Sequence, residues 1–258
     1  MMAGFPVHDP LFLAVAAVAV LAIGISKSGF SGGIGVLAVP VMALFVSPLT
    51  AAAIMLPILC VMDVLSVWAY RRRWHRRNLL LLLPGACVGL ALGALTFRYV
   101  DDAVIRLLLG AVTLGFGLQA FAAAGQAGEV RAGKAATGVA CGALSGFTSF
   151  IAHAGGPPAK FFLLRQHLDK TVFVGTNVVF FFLINQAKIL PYAWLGQFSR
   201  DNLMTSLLLA PLAPLGIWLG LRLHHRVPQD AFYRVSYLLM ILAGVKLLLD
   251  GGLDVIFR

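Results

Sequence analysis

Long apolar runs separated by short polar breaks fill almost the whole chain. They fall at about 11–27, 34–46, 49–70, 79–97, 103–124, 134–152, 157–166, 171–190, 202–221 and 231–249. A helix needs about 20 apolar residues to cross a bilayer, and most of these runs approach that length. The runs 34–46 and 157–166 are too short, because at about 1.5 Å per residue neither covers a ~30 Å hydrocarbon core. Each follows a glycine-rich break, GFSGGIG at 29–35 and HAGGPP at 153–158. Glycine and proline unwind helices and free backbone groups. In a bilayer such backbone survives only when packed in protein or facing a water-filled cavity. The pattern predicts an all-α polytopic transmembrane bundle with two broken or re-entrant hairpins.

The two halves of the chain resemble each other. Ser28-Gly29-Phe30 matches Ser145-Gly146-Phe147, and Pro40 then falls opposite Pro157. Further on, Pro84, Gly89 and Gly93 match Pro211, Gly216 and Gly220. Asp102-Ala103 with Arg106 matches Asp230-Ala231 with Arg234. One order down both halves points to duplication, with a first membrane repeat over 1–124, a cytoplasmic linker over 125–133 and a second repeat over 134–258.

Composition agrees with the pattern. The 258 residues are 60% hydrophobic and 12% charged, about half the charge of a soluble domain, which excludes a soluble enzyme with a polar shell. The net charge of +10 fits lysine and arginine in cytoplasmic loops better than nucleic-acid binding. RRRWHRR at 71–77 is read as cytoplasmic. Counting spans outward places the basic loops 125–134, 165–170 and 222–226 on the same side, eleven basic residues against three opposite. That balance requires the opening hairpins to enter from opposite faces, so the repeats are expected to be inverted. MMAGFPVHDP lacks a positive n-region, so the first apolar run reads as a retained membrane segment. Cys60, Cys87 and Cys141 sit inside apolar runs without metal-ligand spacing and read as small buried hydrophobes.

Inverted repeats with interrupted helices are a build for secondary transport, with substrate near mid-membrane at the helix ends. A half-helix N-terminus carries unsatisfied N–H groups and partial positive charge, which suits an anion. Candidate binding residues are therefore Lys27, Ser28, Gly29, Phe30, Ser31, Gly32 and Gly33 in the first break. In the second they are Ser145, Gly146, Phe147, Thr148, His153, Gly155 and Gly156. Lys27 ends a long apolar run; it faces a cavity or partner, or it snorkels to an interface. His153 is open to substrate binding, proton transfer or capping of the hairpin. Asp63 lies inside an apolar segment and is open to proton relay or to pairing with a lysine. Asn177 and Asn185 bridge helices or, in the case of Asn177 above all, reach substrate. Lys160 and Lys188 read as interfacial, and His224-His225 as solvated. There is no P-loop, HExxH, GxSxG or paired-carboxylate motif, so no enzyme, cofactor or metal site is expected.

The chain at this point resembles the TauE/SafE sulfite exporter family of bacterial membrane permeases, from about residue 11 to 250. The resemblance rests on SGFSGGIGVLAVP, on SGFTSFIAHAGGPPAKFFLL, on the Pro-x₄-Gly-x₃-Gly helices and on TVFVGTNVVFFFLINQAKILPY. It implies an inner-membrane carrier of small sulfur-containing anions such as sulfite or organosulfonates. The binding role transfers only to the two glycine-rich breaks. The expected partners are a small anion, the lipid bilayer and a coupling proton or sodium ion. Other readings of the residues are a carrier of a different small anion, an intramembrane enzyme or a membrane scaffold.

Overall fold

Among the described residues, helices form where the apolar runs lie: α1 Pro10–Gly29, α2 Ala38–Met42, α3 Pro48–Ala69, α4 Arg76–Thr96, α5 Ala135–Ala152, α6 Gly156–Leu164, α7 Lys170–Trp194, α8 Arg200–Leu209, α9 Leu212–Arg226 and α10 Gln229–Ile256. The computed structural model describes residues 9–29, 38–42, 45–96 and 133–256, with positions 103, 104, 107, 110, 111, 114, 115, 118 and 121 between them. Those intervening positions are helical and pack on α10, Leu114 against Gly244 and Leu107 against Gly251. Among the described residues, four helices are long and apolar enough to span a membrane, or five if the bent pair α8/α9 is one span.

Helix starts follow local chemistry. Ser47 caps α3 through the Thr50 N–H at 3.1 Å, with Pro48 in the first turn. Asp169 caps α7 through Thr171 and Val172, and Ser199 caps α8 through Asn202. Each side chain satisfies amides that have no partner inside the helix. The run 202–221, expected to be one span, is instead α8 and α9 meeting at 44° around Ala210-Pro211. Proline lacks the amide and clashes with the preceding turn, which explains the break.

The most extensive packing joins α4 to α5 and α1 to α9. Both contacts run parallel and close over glycines. A methyl at Gly89 would overlap the Ala143 carbonyl, and one at Gly93 would lie 2.8 Å from Phe150 Cβ. On the other seam a methyl at Gly216 would lie 3.1 Å from the Leu21 carbonyl, and one at Gly220 would overlap the Ser28 hydroxyl. Small residues of this kind let membrane helices approach closely.

A second contact recurs. Tyr70 donates to the Ser28 carbonyl at 2.5 Å, and Tyr192 donates to the Phe150 carbonyl at 2.6 Å; each tyrosine lies 42 residues past its acceptor. Leu21 and Ala143, Ser28 and Phe150, Ser47 and Asp169, and Tyr70 and Tyr192 all stand 122 residues apart, the separation of Asp63 from Asn185. Ser28 thus stands to Tyr70 as Phe150 stands to Tyr192, whereas the matching Ser-Gly-Phe triplets pair Ser28 with Ser145.

Three basic loops meet at one end of the bundle. The His75 amide donates to Thr176 Oγ1 at 2.9 Å, Lys170 Nζ donates to the His224 and Val227 carbonyls, and the Tyr70 and His224 rings meet edge-on at 5.7 Å. Guanidinium groups sit over aromatic rings there, Arg71 on Trp68 and Arg222 on Trp218. Cys141 is buried as expected, but Cys87 is exposed on the outer face of α4 and Cys60 is half-buried.

Gly89→Ala is expected to destabilise the protein by about 1–3 kcal/mol through overpacking of the α4/α5 seam. Gly115→Ala, with nothing within 4 Å of the new methyl, leaves the melting temperature in detergent unchanged or raised. Equal melting of the two variants would show that the seam is not tightly closed.

Candidate functional site

The apolar helices carry a chain of buried polar side chains. Lys27, in the last turn of α1, places Nζ 2.6 Å from Asp63 Oδ1 on α3. Asn185 on α7 donates Nδ2–H to the other oxygen of Asp63 at 2.6 Å. One turn further along α7, Lys188 donates to the Ser149 carbonyl at 3.0 Å, to Ser149 Oγ at 3.2 Å and to His153 Nδ1 at 2.7 Å. His153 Nε2 meets the Ala52 carbonyl at 2.9 Å. Asp63 and Lys188 are fully buried, and Lys27 is 8% exposed.

Geometry assigns the protons. The Ala52 carbonyl only accepts, so His153 carries its hydrogen on Nε2 and presents the Nδ1 lone pair to Lys188. The ammonium then has three acceptors for three protons. Both imidazole nitrogens are engaged, so a proton reaches His153 Nδ1 only if Lys188 turns away or hands over one of its own. His153 also caps the hairpin. Its φ of 52° is left-handed, its amide donates to the Ser149 carbonyl, and the next amide, Ala154, reaches back to Thr148. That pattern of bonds closes a helix C-terminus.

Several sequence-derived candidates have other duties. Ser28 Oγ donates to the Gly24 and Ile217 carbonyls, Ser145 Oγ to the Gly155 carbonyl, and Thr148 Oγ1 to Leu144. A hydroxyl has one hydrogen; spent on a carbonyl, it leaves none for an oxyanion. Gly29 and Gly146 let α1 and α5 approach α9 and α4, and Gly155 lies against the Ser145 backbone. Phe147 packs on the core. Gly156 opens α6, but Pro157 and Pro158 follow it. Two of the four amides that a helix N-terminus would offer an anion are therefore missing. Asn177 is buried eleven residues before Lys188, about 16 Å along α7, too far to join the Lys188 cluster. Phe30, Ser31, Gly32 and Gly33 lie outside the described residues.

Gly29, where α1 ends, and the α5–α6 turn lie at opposite ends of the bundle. The end of α1 is held by Tyr70 and by His224 Nδ1, which contacts the Gly29 carbonyl at 3.2 Å, beside the basic loops. The α5–α6 turn touches Ala52 and Tyr192, near the start of α3 and the end of α7, at the opposite end. Side chains, rather than helix ends, bridge the distance between them.

Lys188, expected at an interface, is the residue that sequence reasoning missed. It is fully buried because α7 turns its polar face, with Asn185, toward α3 and α5. Lys160 is also buried, on α6. His224, expected in a solvated loop, lies in the last turn of α9, 1% exposed, because the α1 terminus needs its donor; His225 is exposed. The one signal for Lys188 was its position three residues after Asn185, on the same helical face. Ser66, one turn past Asp63, is fully buried, and its hydroxyl has no hydrogen-bond partner among the described residues.

An apolar cavity of about 420 Å³ lies between α1 and α2, lined by Val15, Val18, Ala22 and Val41 among others. It offers an anion nothing and does not touch the polar chain. Among the described residues no group of three or more His, Cys, Asp or Glu is placed to hold a metal ion.

The buried charges and closed seams belong to a membrane protein with interior polar function. The family described as sulfite exporter TauE/SafE matches residues 16–247. The chain belongs to the TauE/SafE family. Members are membrane transporters, not enzymes, and membership implies an anionic substrate. No curated protein and no solved structure gives a significant match.

Lys27→Met is expected to cost about 3–5 kcal/mol, because it strands the Asp63 charge. Lys27→Met/Asp63→Asn should recover most of that stability. Thermal melting in detergent checks this; a single variant as stable as the double would show that the pair does not neutralise a buried charge.

Proposed function

We propose that this TauE/SafE protein carries a small sulfur-containing anion, sulfite or an organosulfonate, out across the bacterial inner membrane by alternating access. The observation that carries this reading is the charge balance of the buried chain. Two ammonium groups, Lys27 and Lys188, face one carboxylate, Asp63. Among the described residues, the acceptors on Lys188 are all neutral. A charge at the bilayer centre costs roughly 2.5–3.5 kcal/mol on insertion scales, and an anion arriving at Lys188 offsets that cost. All three Lys188 protons are taken in this state, so the anion binds by displacing one of its neutral acceptors, a Ser149 oxygen or His153 Nδ1, while Lys27 neutralises Asp63.

Alternating access needs two halves of similar energy that rock about a central site. The recurring contacts support an inverted pair of repeats, 1–124 and 134–258, each lending a Pro-x₄-Gly-x₃-Gly helix to the other's opening helix. The breaks at opposite ends support hairpins entering from opposite faces. The three basic loops that meet at one end favour that end, with 71–77, 165–170 and 222–226, as cytoplasmic; 125–134 joins them on this reading. Enclosure of the cluster corresponds to an occluded state. His153 is the group through which a coupling proton would act, because a proton at Nδ1 takes that acceptor from Lys188.

In proteoliposomes, the wild-type chain is expected to accelerate flux of labelled sulfite. Lys188→Gln should lower it by about tenfold or more, the loss of one charged hydrogen-bond partner. Flux no faster than in empty liposomes for sulfite, sulfoacetate and methanesulfonate would refute the reading. Stronger competition by a simple carboxylate than by sulfonates would assign another anion.

A further inference from the structure

Contacts 122 residues apart give Lys27, Asp63 and Ser66 each a counterpart in the second half. Lys27 corresponds to Ser149, Asp63 to Asn185, and Ser66 to Lys188. The Asn185–Asp63 hydrogen bond therefore joins a position to its own counterpart. Such self-contact occurs only at a two-fold axis. The bond from Lys188 to Ser149 joins the same two positions that Ser66 and Lys27 occupy in the other half.

The halves differ in which contact is made. In the first, the lysine reaches the carboxylate, and Ser66 is left buried without a partner among the described residues. In the second, the lysine reaches the serine, away from the amide that stands where the carboxylate would be. When inverted repeats exchange conformations, each takes up the arrangement of the other. Lys27 then turns from Asp63 to Ser66, and Lys188 leaves Ser149. Lys188 lies one turn from Asn185, which already touches Asp63, so a side-chain rotation brings it to the carboxylate.

We propose that Asp63 is a shared counter-ion that pairs with Lys27 in this state and with Lys188 in the opposite-facing state. The carried anion takes the ammonium that Asp63 leaves: Lys188 with Ser149 and His153 here, Lys27 with Ser66 there. Neither Lys27 nor Lys188 is left uncompensated in either loaded state. Two ammonium groups and one carboxylate admit one more negative charge to this cluster, so the carried species is a monoanion, a sulfonate or hydrogen sulfite. The inference deepens the transport reading above and rests on it.

The test uses the full chain in proteoliposomes, with labelled methanesulfonate, a permanent monoanion, as probe. Asp63→Asn is expected to cut flux more than about tenfold. Asp63→Asn/Asn185→Asp moves the carboxylate across the axis, within reach of both lysines, and should return flux to within about threefold of wild type. Lys27→Gln/Asp63→Asn removes the ion pair without stranding a charge. It should stay inactive while the probe still raises its melting temperature through Lys188. Wild-type flux in Lys27→Gln/Asp63→Asn would mean a static pair and overturn the inference. So would a folded Asp63→Asn/Asn185→Asp protein that carries nothing. Either result, with normal wild-type flux, leaves the transport reading standing; a wild type that carries neither methanesulfonate nor sulfite removes both.

Discussion

The Lys27–Asp63 ion pair is the constraint around which the bundle is arranged. A carboxylate with no exposed surface, inside helices that span lipid, is stable only with a cation and hydrogen bonds to its oxygens. Lys27 supplies the first and Asn185 the second. Meeting that need ties α1, α3 and α7 together. The same helices carry Tyr70 and Tyr192, which satisfy carbonyls in the last turns of α1 and α5. Orphan carbonyls in lipid each cost several kcal/mol, so the two tyrosines make the interrupted hairpins tolerable.

Close packing supplies the rest. With lipid on both sides of a helix, the hydrophobic effect does not drive helices together, and shape decides. The α1/α9 and α4/α5 seams therefore close on glycines, while leucines such as Leu95, Leu190 and Leu207 face outward. The scaffold can be stiff along these seams and still leave the polar chain as the place where contacts change.

Much of this was legible in the residues. Most described helix boundaries agree within a few positions, because apolar runs, caps and prolines act locally; α10 runs on to Ile256, past the end of its apolar run, and 202–221 divides at Pro211. The second break appears where HAGGPP interrupts the runs, between α5 and α6. The site was less legible. The hydroxyls of Ser28, Ser145 and Thr148 looked available, because a sequence does not reveal which backbone carbonyl will claim a proton. Lys188 looked interfacial beside Pro191-Tyr192, because depth along α7 depends on where α3 and α5 cross it. The Ser-Gly-Phe triplets pair Ser28 with Ser145 while the tyrosine contacts pair it with Phe150, because a triplet does not reveal which carbonyl a distant hydroxyl will reach.

The stacked guanidinium–aromatic pairs at the basic end, Arg71 on Trp68 and Arg222 on Trp218, act as anchors at a headgroup boundary. At the other end Trp194, 82% exposed in the last turn of α7, supplies an aromatic anchor beside the α5–α6 turn. α7 is therefore fastened to the headgroup region by Trp194, and a thicker or thinner bilayer changes its tilt. Lipid chain length thereby becomes a variable that acts on the position of Lys188, which α7 carries.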